Sequence, residues 1–577
     1  MTRSRAACGI IATAAVSGLL VALPATSSFA AATNCPTVFP TASAVDGVTG
    51  TGYTVEKGTT ADPFTAKVLG RITDGIAPGV DMIMAELDSP ALERAGGVWA
   101  GMSGSPVYTA DGKLIGSVSY GLAASSKIAG ITPAADLRDL AGAGIGTARI
   151  SVSATKAARI AKTGEVSKAL AAKGFEPLPV PVSAAGIAKK KTGKFLKDIT
   201  KSSGMAVRSG GSKISTTAKS SPSEIFAGSN YAAALSYGDV SLTGLGTTTT
   251  VCDTTAIAFG HPFLSAGKVE YSVHPATAVY VQADPVYGPF KVGNAGGVVG
   301  TVDRDNTVGL RSSLDVAPKH QFPITTALVN DEGKTVKGTT VGVYQPYAAD
   351  IAALHLQSAV IKANGAEGAG SAAVKITVNG TRAGGKKFSV SLSDHFYDTY
   401  DLSFTTADSA YYLLSPLVNQ SFENVDITSV KITGSVSNDV KQYRVTKVET
   451  KKQGKWVTVK SKQSVTSGGT IPLRATLSPY RSTKKITVPL TVAVPKKSKG
   501  ASGQLIIADG QSVGSSAAEP NSLDGLLAQL RSTPHSDALV SQISLVTPKG
   551  KALISTRETR LNAAVTSYGK LVDLTVK

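Results

Sequence analysis

The stretch Gly97-Val-Trp-Ala-Gly-Met-Ser-Gly-Ser-Pro-Val-Tyr108 decides how the rest of this chain is read. Gly101 and Gly104 flank Met102-Ser103, and a hairpin signal follows: Val107-Tyr108, then Asp111-Gly112, then Lys113-Leu-Ile-Gly-Ser-Val-Ser-Tyr120. Apolar and hydroxyl residues around an Asp-Gly pair predict strand, tight turn, strand. The glycines let the backbone ahead of that hairpin curl tightly. A serine hydroxyl is therefore held on a turn, and the rest of the chain is searched for groups that would act on it.

Length and composition set the frame. A chain of 577 residues is too long for one core, so roughly two to four domains are expected. Hydrophobic content of 42% against 17% charged residues excludes a wholly disordered protein. Abundant Gly, Val, Thr and Ser favour β structure with many turns over helical bundles.

The N-terminus reads as a leader, not as structure. Arg3 and Arg5 form a basic start, Cys8 to Leu23 an apolar run, and Ser28-Phe-Ala30 a small-residue cleavage site. Cleavage near Ala30 or Ala32 is expected, with an uncleaved anchor as the alternative. No later apolar run has membrane-spanning length. Export to a secreted, extracellular or envelope-associated location follows as an expectation. Of three cysteines, Cys8 leaves with the leader, so Cys35 and Cys252 are the only possible internal pair. A bridge between them would close a very long loop, worth roughly 4–5 kcal/mol in the chain-entropy model. Two unpaired buried thiols are the alternative.

Formal net charge is +19, two of it lost with Arg3 and Arg5. The lysines are dispersed and lack interleaved aromatics, which argues against nucleic acid. Anionic cell-wall polymers or lipid head groups are the expected electrostatic partners of such a chain. The densest basic run, Lys189 to Lys197, falls in a Lys/Ser/Gly-rich connector from Gly186 to Pro222; a membrane-surface patch around Phe195 and Leu196 is its alternative reading.

Along the chain, Pro63–Gly70 and Asp81–Leu87 read as strands. Leu87 to Gly96 reads as a short helix capped by Asp88 or Ser89, with Pro90 at its first position. Short helices are expected from Ala134 to Ala141, Ala154 to Lys162 and Glu165 to Lys173. Alternation resumes at Asp239–Thr247, and Ala256-Ile-Ala-Phe-Gly-His-Pro-Phe263 reads as a strand ending in Gly260-His261-Pro262. Further strands are expected through Val494, then a hinge at Pro495–Gly500 and helices at Ser522–Leu530 and Ser536–Ile543.

The run Leu87-Asp-Ser-Pro-Ala-Leu-Glu-Arg-Ala-Gly-Gly-Val-Trp-Ala-Gly-Met-Ser-Gly-Ser-Pro106, continuing through Gly112-Lys-Leu-Ile-Gly116, resembles the S55 serine peptidase family, whose best-known member is a sporulation peptidase. The Gly260-His261-Pro262 element is a second point of resemblance. A third is Gly288 to Gly300 followed by Asp303-Arg-Asp305, similar to longer bacterial members. The resemblance spans roughly residues 64–310. It implies that Ser103 is the nucleophile and His261 the general base. It also implies that Asp88, fifteen residues before Ser103, is the acid. As in peptidases of the trypsin type, the Gly101 and Ser103 amides would form the oxyanion hole. The order Asp88, Ser103, His261 is permuted relative to the His, Asp, Ser of the sporulation enzyme. Asp81, Asp253 and Asp284 are therefore rivals for orienting the imidazole, a helix N-cap is the alternative role for Asp88, and His274 is the fallback base.

The six histidines show no metal-ligand spacing, and no cysteine–histidine cluster exists. The expected mechanism calls for no metal or cofactor. The expected fold is mainly β: a trypsin-like double β-barrel peptidase core with short helices, plus a C-terminal β-rich, sandwich-like accessory region. Its parts are a signal peptide (1–30), a Ser/Asp-bearing half (31–150), short helices and basic linker (151–222), a His-bearing half (223–320), a β-rich accessory domain (321–494) and a C-terminal α/β segment (495–577). The expected activity is serine endopeptidase action on protein or peptide substrates, its own chain included. The alternative is a non-catalytic envelope-binding or structural protein that keeps the barrels.

Overall fold

The glycine-rich turn and its hairpin belong to a closed barrel. In the computed structural model, which describes residues 35–122, 126–138, 140, 149–185, 207–209, 213–286, 288–513, 519–567 and 569–577, six strands make it. They are β1 (Thr49–Thr54), β2 (Asp62–Ala77), β3 (Val80–Asp88), β4 (Pro106–Tyr108), β5 (Leu114–Gly121) and β6 (Ile128–Pro133). Their order is β4-β1-β2-β3-β6-β5, and the β4–β5 hairpin closes it. That hairpin is the one read from Asp111-Gly112: Tyr108 pairs with Leu114, and Gly112 takes φ +81° at the turn. Phe64, Ile83, Trp99, Met102, Val107 and Val118 fill one side of the interior. The expected leader and the basic run from Lys189 to Lys197 lie outside the described residues.

After β7 (Glu176–Pro177), β8 (Val180–Ala185) and β9 (Val207–Ser209), a second barrel forms. Its strands are β10 (Asn230–Gly238), β11 (Ser241–Cys252), β12 (Thr255–Ala258), β13 (Gly267–Gln282), β14 (Phe290–Ala295), β15 (Gly300–Asn306) and β16 (Gly309–Leu314). The order β10-β13-β15-β16-β12-β11 is closed by β10–β11, with β14 paired outside it on β13. The described residues are thus mainly β, 49% strand and 17% helix, with two closed six-stranded antiparallel barrels.

Strand β11 explains how the barrels meet. Its Ser-Leu-Thr-Gly-Leu-Gly-Thr-Thr-Thr-Thr run is buried throughout, because one face lines the second barrel and the other meets the first. Buried threonines need partners, and two of them find theirs across the boundary. Thr247 Oγ1 donates to Gly101 O at 3.0 Å, and Thr249 Oγ1 to Gly104 O at 2.8 Å. Cys35 and Cys252 stand at disulfide distance, tying the start of the described chain to the end of β11.

Several expected boundaries do not coincide with breaks. The helices Ala154–Ala161 and Lys168–Ala171 place Ala157, Ile160 and Ala171 in a core shared with β2 and β3, so the first half continues past 150. The second sheet runs on beyond 320: Phe322–Val329 and Thr335–Gly342 join it at β10, followed by Val425–Ser437, Gly370–Arg382 and Lys386–Asp398. Two helices absent from the sequence reading, Ala348–Asn364 and Leu402–Asn419, pack on that extension. Farther on, two five-stranded sheets share one core that includes Leu473, Leu477, Leu505, Ile543 and Leu574, which crosses the expected hinge at 495. Ser536–Ile543, expected as a helix, lies largely in the strand Ala538–Val546; its apolar spacing fits either form, and pairing on both sides decided it. Among the described residues no helix is long and apolar enough to cross a membrane.

Candidate active site

Ser103 is delivered by a short helix and a tight loop. Helix α1 (Pro90–Ala95) starts at Ser89, whose side chain accepts from Leu92 N, and stops at Gly96 in the left-handed conformation with φ +82°. The loop then doubles back: Met102 N donates to Trp99 O and Ser105 N to Met102 O, both at 3.0 Å. Ser105 Oγ donates to Met102 O at 2.6 Å, which ties that hydroxyl to its own loop and leaves Ser103 as the serine facing the second barrel. Gly104 has to be glycine: at φ +103° a Cβ would lie 1.7 Å from Thr247 O. Thr247 N in turn donates to Ser103 O at 2.7 Å.

His261 comes from the other barrel, on the turn between β12 and β13. Phe259 and Gly260 both take positive φ, +68° and +70°, and for phenylalanine that is an uncommon, strained conformation. Packing holds it: the Phe259 ring meets Tyr231 and Phe263 edge-on. Gly260 O accepts from Thr132 Oγ1 of the first barrel at 2.6 Å, so the turn is clamped across the boundary.

The two halves meet at one bond. Ser103 Oγ and His261 Nε2 are 2.8 Å apart, and His261 Nδ1 is 2.8 Å from the carbonyl of Pro262. A carbonyl only accepts, so Nδ1 carries the ring proton and Nε2 presents its lone pair to the serine hydroxyl. Burial pushes the imidazole down to about 4, with the bond to Pro262 acting in the opposite sense. His261 is fully buried and Ser103 only 2% exposed. The ring is therefore neutral at neutral pH, which a general base requires.

The expected acid is elsewhere. Asp88 is exposed on the far end of β3 and pairs with Lys127 Nζ at 3.1 Å. Both ring nitrogens of His261 are engaged, neither by a carboxylate. Asp88 therefore does not orient the imidazole, and the capping of α1 falls to Ser89 instead. The rivals are no closer in role: Asp81 pairs with Arg71, Asp253 is exposed on the turn after β11, and Asp284 caps the turn at Val286 N. His274, the fallback base, bonds Ser272 Oγ at 2.8 Å and Gly296 O at 2.9 Å, away from Ser103.

The Gly101 and Ser103 amides do lie on one loop with Gly101 at φ +95°. Among the described residues neither N–H has a hydrogen-bond acceptor, although the intervening Met102 N–H does. Two free amides flanking an occupied one are what an oxyanion would need. Beside them stands a residue that sequence reading passed over. Lys291 is fully buried; its N–H donates to Ala100 O at 2.9 Å, a Cβ on Gly101 would lie 2.9 Å from its own Cβ, and its Nζ donates to Asn230 Oδ1 at 2.8 Å. Burial lowers the Lys291 amine to about 7. A lone lysine in an alternating strand carries no sequence signal for such burial.

Among the described residues no group of three or more His, Cys, Asp or Glu side chains is placed to hold a metal ion. The arrangement is a buried hydroxyl–imidazole pair at the seam of two barrels, suited to proton transfer from an attacking serine. No protein-family model, curated protein or solved structure matches the chain.

Proposed function

We propose that this protein is an exported serine endopeptidase of S55 type. The observation that carries the reading is the 2.8 Å contact between Ser103 Oγ and His261 Nε2, made by residues 158 apart on separate barrels. In the reaction, Nε2 takes the hydroxyl proton as Oγ attacks the scissile carbonyl carbon. The developing oxyanion is received by the Gly101 and Ser103 amides. Collapse breaks the C–N bond, and the imidazolium returns the proton to the departing amine. Water then attacks the acyl-enzyme with His261 again as base, releasing the acid and restoring Ser103.

Export rests on the Arg3, Arg5 and Ser28-Phe-Ala30 pattern, and the Cys35–Cys252 pair suits an oxidising compartment. The region after the barrels is read as accessory to the peptidase core. Ser103→Ala, assayed for self-cleavage and casein hydrolysis, tests the proposal: activity should vanish, and unchanged activity would overturn it. One observation favours a second reading, a non-catalytic envelope protein that keeps the barrels. The pair is almost wholly buried, so a peptide reaches it only if the seam opens. That reading predicts a folded protein in which Ser103 never reacts with a fluorophosphonate.

A further inference from the structure

The imidazole lacks a carboxylate, yet a buried carboxylate lies one peptide group behind it. Asp305, on β15, is fully buried. Its Oδ1 accepts from Phe263 N at 2.8 Å, and its Oδ2 from Leu264 N at 2.7 Å and from the Tyr271 hydroxyl at 3.0 Å. The Phe263 N–H belongs to the same peptide group as the Pro262 carbonyl that holds His261 Nδ1. A trans peptide is planar, with C=O and N–H pointing in opposite directions. The four groups therefore form a line: carboxylate, N–H, C=O, imidazole, with Ser103 at the far end.

We infer that Asp305 is the positioning acid of this site, acting on His261 through the Pro262–Phe263 peptide instead of by direct contact. This rests on the reading of Ser103 and His261 as nucleophile and base. The physical argument is cooperative polarisation. An anion at the N–H end draws the peptide dipole so that its carbonyl oxygen becomes more negative, and bonds linked in a chain strengthen one another in a low-dielectric interior. A stronger acceptor at Nδ1 secures the Nδ1–H tautomer and stabilises the imidazolium formed when Ser103 gives up its proton, the service a triad aspartate performs by direct bonding. Both carboxylate oxygens accept amide N–H bonds, which favours the anion. Burial acts against this and pushes the Asp305 carboxyl up. The same bonds anchor the backbone that follows His261, so Asp305 both aims the ring and biases its proton.

The test compares Asp305→Asn with Tyr271→Phe in the full chain. Tyr271→Phe removes one bond to Asp305 but keeps the carboxylate and its bond to Phe263, and so serves as the structural control. The readouts are the His261 ring signals, by nitrogen-15 and proton NMR of histidine-labelled protein, and the rate of fluorophosphonate labelling at Ser103. Asp305→Asn should move the Nδ1–H resonance upfield and slow labelling roughly 10- to 100-fold, the size of effect seen when a partner that orients a metal-bound histidine through its other nitrogen is removed. Tyr271→Phe should leave both nearly unchanged. A folded Asp305→Asn protein with an unshifted Nδ1–H overturns the inference. So does a wild-type ring found as the Nε2–H tautomer, a measurement that holds even if Asp305→Asn does not fold. Shifted ring signals in a protein that never labels would leave Asp305 in place and reject the peptidase reading.

Discussion

The Ser103 hydroxyl and the His261 ring nitrogen Nε2 meet at 2.8 Å across the seam between two barrels, and each is held there by residues of the opposite barrel. Thr247 and Thr249 of the second barrel grip the backbone around Ser103, while Thr132 of the first grips Gly260 beside His261. The reacting pair is thus a property of barrel docking, and what disturbs the seam should disturb the chemistry.

The acid limb of reactivity should lie unusually low. His261 acts as a base only when neutral, and burial lowers it to about 4. Fluorophosphonate labelling of Ser103 should hold steady from neutral pH down to about 5 and then fall with a midpoint near 4. A midpoint near the ordinary histidine value of about 6.5 would mean that the ring is solvated in the resting protein, which contradicts its burial at the seam.

Stability should decline with acid over a defined window. His261, His274 and His355 are each pushed down to about 4 by burial. Between the unfolded value of about 6.5 and the folded value, the unfolded chain binds more protons than the native one. Their contribution is whole above about pH 6.5 and is lost as pH falls toward 4, each group with a slope of up to about 1.4 kcal/mol per pH unit. Urea denaturation at pH 7, 5.5 and 4.5 checks this; constant midpoints would refute it.

Much of this site was legible in the chain because its chemistry sits on glycine-punctuated turns. Gly101-Met-Ser-Gly104 and Gly260-His-Pro262 need their backbone shapes, and glycine records such needs in sequence. The acid was carried over to Asp88 from the resemblance alone; here that aspartate lies beside a helix start, where Asp, Ser and Pro cluster for capping, and its side chain pairs with Lys127. Asp305 stands out in the sequence only within Asp303-Arg-Asp305: a carboxylate that works through a peptide group leaves no spacing rule. The closure of β10 on β11 and the run of sheet past residue 320 depend on pairings over long separations, which local alternation does not reveal. The helix Ala348–Asn364 was missed because it is buried on most of its surface, so no clean apolar stripe marks it.

Gly104→Ala should cost far more than a neighbouring glycine change. The new methyl would sit 1.7 Å from Thr247 O, so the loop must back away from β11. Overpacking of this kind adds about 1–3 kcal/mol or more to the backbone cost that φ +103° already imposes on an alanine there, and Ser103 labelling should be lost with it. Gly112→Ala meets nothing within 4 Å and carries only the left-handed backbone cost, about 1–2 kcal/mol. Thermal melts with labelling of both variants check the contrast; equal effects would contradict the docking argument.

Removing the cysteine pair should loosen the same seam. Cys35 and Cys252 are 217 residues apart, so loop closure predicts a loss of about 5.4 kcal/mol for Cys35→Ser with Cys252→Ser. Because Cys252 ends β11, labelling at Ser103 should become more sensitive to denaturant than in the wild type. Denaturant titrations read by melting and by labelling decide it; identical curves would show that the pair does not support the seam.

The most direct measurement is mass-spectrometric mapping of fluorophosphonate adducts on the full chain, wild type beside His261→Ala. The account predicts a single stoichiometric adduct on the peptide containing Ser103, with a rate reduced by about 10²-fold or more when His261 is removed. An adduct-free Ser103 in the folded wild type, or equal labelling in the two proteins, would contradict it.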